Sequence, residues 1–258
     1  MFLVDMNSIF FQKIFIILCC IAGLLSADYT SAQNYLTLTA LENSWVAVYN
    51  ESNSPDINYS IDDGEWHHIS PDMPVFLEKD SRMCFRGMNP AGFSRSVNNY
   101  TSIVISGNVL GSGSVMSLVD NTGTSVVVPA GYCFAHLFEN STGLLTPPNL
   151  PAVVLMRGCY SLMFAGCTRM TRAPRLLVGN LAPECYESMF MGCESITRIE
   201  VRFTHWAKFY DSMYGVDFYS TLSWVNGVGP NGLFVCPKGL PEWYGEDFIP
   251  EGWKVQYR

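Results

Sequence analysis

The residues able to do chemistry are mostly cysteines. Nine are present. Cys19 and Cys20 lie in an apolar leader, and Cys133, Cys159, Cys167, Cys185 and Cys193 recur along the second half. A catalytic Cys/His pair needs an exposed thiolate and a polarising orienter, whereas these cysteines fall at periodic positions that look buried. Cys133 and His136 have a Cys-x-x-His spacing, yet zinc ligands must converge on a point and a periodic ladder does not converge. His67-His68 stands beside Asp62-Asp63, but a strand puts neighbouring residues on opposite faces, so a surface hairpin is the plainer reading. Gly111-Ser112-Gly113-Ser114 lacks the register of a Gly-x-Ser-x-Gly nucleophile turn. The sequence therefore argues against an enzyme, with no catalytic residue, no cofactor and no metal site expected.

Two sets of residues suit binding instead. Arg172 and Arg198 are 26 residues apart, and Arg169 and Arg175 flank the first of them, so residues 150–202 hold six bases against four acids in a chain of net charge -8. Stacked like charges are tolerated only where exposed; they are either a solubilising surface or a cationic strip for an acidic protein or anionic glycan. Trp45 and Trp66, with Tyr49 and Tyr59, form either a core or an aromatic platform for a sugar. The acidic N-terminal half, ten acids against four bases in residues 33–130, excludes nucleic acid as the expected partner, because phosphate binding needs a basic patch.

These side chains are positioned by a repeat. Cys159-Tyr160-Ser161-Leu162-Met163-Phe164-Ala165-Gly166-Cys167 returns 26 residues later as Cys185-Tyr186-Glu187-Ser188-Met189-Phe190-Met191-Gly192-Cys193. A weaker earlier copy aligns Cys133 with Cys159, Leu137 with Met163 and Phe138 with Phe164. A fixed period of this size predicts a solenoid. Tyr160, Met163 and Phe164 lie at i, i+3 and i+4, which predicts a helical turn with all three on one face, ended by Gly166 or Gly192 and followed by a short strand. Stacked copies would then bury Cys159, Tyr160, Met163, Phe164 and Cys167 against Cys185, Tyr186, Met189, Phe190 and Cys193. Equivalent cysteines would lie about 5 Å apart, within disulfide range; a ladder of buried thiols fits the periodicity better.

The Cys-Tyr-x-x-Met-Phe-x-Gly-Cys unit resembles the repeat of the BspA-like leucine-rich repeat surface proteins of Gram-negative anaerobes. The likeness extends to Trp224-Val225-Asn226-Gly227-Val228, Gly232 to Pro237 and Ile249 to Trp253, which resemble that family's closing segment, and Leu36 to Gly87 resembles the β-rich module that often precedes its repeats. The resemblance implies a secreted or surface-displayed recognition protein.

The rest of the chain completes the expectation. Ile14 to Leu25 is an apolar run of twelve residues, shorter than the roughly 20 needed to span a bilayer. It predicts a secretory signal over residues 1–32, with lipidation at Cys20 as the alternative and no transmembrane helix in the mature chain. Period-two stretches at Tyr35–Ala40, Trp45–Tyr49, Ile57–Ile61, Val75–Glu78, Met83–Arg86 and Ser102–Ile105 predict a small β-sandwich over 33–128, with a tight turn at Asp63-Gly64 and a turn-rich connection over Gly107 to Ser117. A solenoid of about three turns over 129–202 and a degenerate last turn with a cap over 203–258, its Ser212-Met213-Tyr214 matching Ser188-Met189-Phe190, complete an α+β architecture. The expected role is cell-surface recognition or adhesion, with a host surface or matrix protein docking on the strand face. A glycan-binding accessory protein and a purely structural envelope component are the alternatives.

Overall fold

Alternation of apolar and polar residues builds the first strands: β1 (Leu36–Ala40), β2 (Ser44–Glu51), β3 (Asn58–Ile61), β4 (His67–His68), β5 (Val75–Leu77), β6 (Arg82–Arg86), β7 (Tyr100–Ser106) and β8 (Val109–Ser112). The computed structural model describes residues 34–71 and 73–258; the expected leader and its Cys20 lie outside them. With β9 (Leu144–Thr146), these strands form a six-stranded sheet ordered β4-β3-β6-β1-β8-β9 and a three-stranded sheet ordered β5-β2-β7. Leu36, Leu38, Val46, Val48, Phe85 and Ile103, from both sheets, are fully or almost fully buried in one core. The tight turn sits one residue earlier than expected. Asp62 and Asp63 both have positive φ and Gly64 N–H donates to the Ile61 carbonyl, as a type I′ turn requires.

The second half contains β10 (Arg175–Leu176), β11 (Arg198–Val201), β14 (Leu233–Cys236) and β15 (Lys254–Tyr257), in that order in a parallel sheet, plus a hairpin of β12 (Lys208–Asp211) and β13 (Val216–Tyr219). The single helix among the described residues, α1 (Ser117–Asp120), is four residues long. The expected α+β architecture is thus contradicted: the protein is nearly all β, its sheets do not close, and the repeats do not form a leucine-rich-repeat solenoid.

The reason lies in the backbone of the nonapeptides. Gly158, Leu162 and Gly166 have φ of 58°, 56° and 73°, and Glu184, Ser188 and Gly192 have 55°, 50° and 72°. A left-handed residue every fourth position forbids a helix. The chain instead makes a row of linked turns in which Ser161, Met163, Ala165 and Cys167 N–H bond back three residues, while Tyr160, Leu162, Phe164 and Gly166 N–H reach the carbonyls of Cys185, Glu187, Met189 and Met191. Alternate N–H groups therefore close turns and join rows, and no interior donor is left over.

Residues 132–141, 158–167 and 184–193 form three such rows, and a fourth spans 219–228. The third row donates from Tyr186, Ser188, Phe190 and Gly192 to Ser220, Leu222, Trp224 and Asn226. Ser212-Met213-Tyr214 is not the next repeat; it lies at the tip of the β12–β13 hairpin, where Met213 is 82% exposed.

Within the stack, Phe134, Tyr160 and Tyr186 stack at 5.9 and 6.1 Å, and Phe138, Phe164 and Phe190 at 5.7 and 6.0 Å. Both columns end on Trp224, which is fully buried. Each large apolar side chain so buried contributes about 1.5–3 kcal/mol. The first row is capped by the N-terminal sheets: its Cys133 and Leu137 carbonyls accept from Ser94 and Ile103 N–H, and β9 pairs with β8. The fourth is capped by the Asp247 carboxylate and the Glu246 carbonyl, which accept from Ser223 and Val225 N–H. The stack is thus blocked at both ends within one compact unit, Asn34–Arg258.

Candidate functional site

The repeat period puts Arg172 and Arg198 on adjacent chain segments. Thr197 N–H donates to Thr171 O and Ala173 N–H to Arg198 O, and Arg175 pairs with Glu200 in the β10–β11 register. Arg172, Arg175, Arg198 and Glu200, together with Pro147, Pro148 and Asn149 just after β9, line a groove of about 270 Å³. Arg175 and Arg198 lie 3.2 and 3.4 Å from the Glu200 carboxylate. Arg258 also bonds Glu200 and donates to the Val201 carbonyl. Burial alone would raise the Glu200 pKa, but the charges of Arg175 and Arg258, with hydrogen bonds from Arg175 and Arg198, hold it below the usual carboxylate range. Glu200 is therefore an anchored anion that orients three guanidinium groups. Arg172 is exposed and has no ion pair among the described residues. Arg169 is exposed but does not line the groove.

Trp45 and Trp66, read from the sequence as either core or platform, stand on different sheets. Trp45 lies in β2 of the three-stranded sheet. Trp66 precedes β4 on the six-stranded sheet, with the Arg86 guanidinium 4.0 Å over its ring and Tyr35 edge-on at 5.0 Å.

The seven cysteines within the described residues are buried and unbridged. Burial pushes the Cys133 and Cys185 thiols up to about 12, and such thiols are poor nucleophiles. Cys167 and Cys193 have a backbone role: their thiols donate to the carbonyls of Phe138 and Phe164 at 3.1 and 3.0 Å. Ser141, at the equivalent place in the first row, donates to Ile103 O at 2.7 Å. One side-chain donor per row thus ties each corner to the preceding layer. The His136 Nδ1 faces Glu139 Oε2 at 2.7 Å, not Cys133. Among the described residues no group of three His, Cys, Asp or Glu side chains could hold a metal ion, and no helix is long and apolar enough to cross a membrane.

Sequence reasoning missed Glu200, Arg258 and the Pro147-Pro148-Asn149 wall. Glu200 had a local signal, since it stands two residues from Arg198 on the same strand face. Arg258 had none, because its approach depends on β15 adding to the sheet beside β14. No family model matches the chain, and neither a curated protein nor a solved structure matches it.

Proposed function

We propose that this chain is an exported, surface-displayed recognition protein, not an enzyme, and that it docks an acidic segment of a partner protein at the arginine groove. The observation that carries this reading is the charge imbalance there. Arg172, Arg175 and Arg198 line the groove with a single carboxylate, Glu200, which Arg258 bonds as well, in a chain whose net charge is -8. Bidentate guanidinium groups suit carboxylates, and the exposed Arg172 supplies the uncommitted fork. The apolar leader and the likeness of the repeat unit to BspA-like surface proteins support the exported, surface-displayed part of the reading.

Fluorescence anisotropy with a labelled Glu-rich peptide, and a Lys-rich peptide as control, tests the groove. The Glu-rich probe is expected to bind, weakening as salt rises. Arg172→Glu with Arg198→Glu is expected to lower affinity by about tenfold or more. Unchanged binding after the double reversal, or equal binding of both peptides, removes the groove from the account.

A further inference from the structure

The three-stranded sheet carries a second surface whose chemistry differs from the groove. Along β2, Val46 and Val48 face the core, while Trp45 and Tyr49 are 50% and 43% exposed with half-buried Ala47 between them. Phe76 of β5 lies directly opposite Trp45 in register, the two rings 5.0 Å apart and tilted by 59°. On the other side, Val104 of β7 is the register partner of Ala47 and is 38% exposed. Tyr100 lies 6.3 Å from Tyr49. The sheet thus displays aromatic rings at two ends and small aliphatic side chains between them.

Several of these rings are braced. The Tyr49 hydroxyl donates to Glu51 Oε2 at 2.6 Å. Tyr100 stacks on His136 at 4.0 Å and 19°, and His136 is itself fixed by Glu139. A fixed ring loses little freedom when a ligand covers it.

We infer that this face binds a neutral carbohydrate chain, the apolar C–H faces of its sugar rings packing on Trp45, Phe76 and Tyr49 and its hydroxyl groups reaching the Glu51 carboxylate and the exposed Ser106. Charge and size select that occupant. The strands β2, β5 and β7 contain one ionised residue between them, Glu51, so neither an acidic nor a basic partner is complemented. Three strands at about 4.8 Å spacing, with Trp45 and Tyr49 four residues apart, give a patch roughly 10 by 13 Å. That is far below the roughly 800 Å² per partner of a stable protein interface, but it suits a short run of sugar rings. The aromatic side chains supply both apolar surface and polar tips.

Native affinity electrophoresis of the full chain in gels containing a soluble β-glucan, a mannan or a xylan tests the inference. Retardation by at least one polysaccharide is expected. Trp45→Ala with Phe76→Ala should weaken it about tenfold, which corresponds to 1.4 kcal/mol; Trp45→Tyr should restore part of it, and Trp66→Ala should leave it unchanged. Near-ultraviolet circular dichroism checks that each variant is folded. Arg172→Glu with Arg198→Glu should not change sugar retardation, so failure here and failure of the arginine groove are separable. Absence of retardation by all three polysaccharides, or equal retardation of Trp45→Ala/Phe76→Ala and the parent, overturns the assignment.

Discussion

Glu187 shows how the row geometry sets the behaviour of a single group. Its carboxylate is half-buried and accepts from the Ser161 hydroxyl at 3.3 Å. Burial first, and the nearby Glu184 charge second, raise its pKa, against opposing contributions from Ser161, Arg157 and His136. A carboxyl whose folded pKa lies above its unfolded value contributes most below the unfolded value, about 4.3, and loses that contribution as pH rises through the folded value. Glu187→Gln is therefore expected to be more stable than the parent at neutral pH, by a few tenths of a kcal/mol after solvent screening. The gap should close towards pH 4. Glu184, whose pKa is held down by Arg157 and Tyr132 against burial, has the opposite pH dependence but is present in both proteins. Urea denaturation midpoints at the two pH values measure the difference, and a variant less stable at neutral pH would contradict the assignment. At this scale the adjacency of the segments carrying Arg172 and Arg198 was readable in the sequence from the 26-residue period, although the strands beyond them pair with an offset of 25, Arg175 opposite Glu200. Their anchor, Glu200, has only the weak local signal of Arg198 two residues away, its bonds to Arg175 and Arg258 coming through strand pairing, and the proline wall is brought alongside by a hydrogen bond from Thr171 N–H to Leu145 O.

At the scale of the element, the row of turns explains why spacing misled. Tyr160, Met163 and Phe164 do share a buried environment, as their i, i+3, i+4 spacing suggests. The same spacing is produced by turns that bond back three residues and restart with a left-handed residue every fourth position. Only glycine, at Gly158, Gly166 and Gly192, hinted at this, because Leu162, Glu184 and Ser188 adopt the same left-handed conformation without advertising it. A Cβ added at Gly166 would lie 2.3 Å from Asn140 Oδ1. The strand β8 was hidden for a related reason: three glycines disguised a stretch where the Thr146 carbonyl lies close enough to require Gly111. A test of the row follows at Ser188, with φ of 50°. Ser188→Val forces a β-branched residue into left-handed backbone and is expected to cost about 1–2 kcal/mol. Ser188→Gly, which adopts that region freely, should stay within about 0.5 kcal/mol of the parent. Chemical denaturation distinguishes them, and equal effects would mean that the left-handed position does not constrain the row.

For the whole molecule, the decisive contacts cross the expected boundary between residues 128 and 129. The β1–β8 edge of the N-terminal sheet is extended by β9 from beyond it. Ser102 Oγ donates to His136 O at 2.6 Å, and Ile103 N–H donates to Leu137 O at 2.7 Å. Removing residues 129–258 would exchange these hydrogen bonds for bonds to water, a net loss of about 0.5–1.5 kcal/mol each, and uncover the apolar residues packed beneath the first row. Net domain stabilities are only about 5–15 kcal/mol. Residues 34–128 alone are therefore expected to lack a cooperative urea transition, whereas residues 34–258 should unfold in one step by both tryptophan fluorescence and far-ultraviolet circular dichroism. Two separated transitions in the longer chain, or a sharp one in the shorter, would show that the N-terminal sheets stand by themselves. Each surface would then rest mainly on its own sheets, the groove still sharing β9 and the aromatic face still sharing the His136 stack with the other half. A single transition instead ties both surfaces to one folding event, so a destabilising change in Trp224 or Phe164 would diminish peptide binding and sugar binding together.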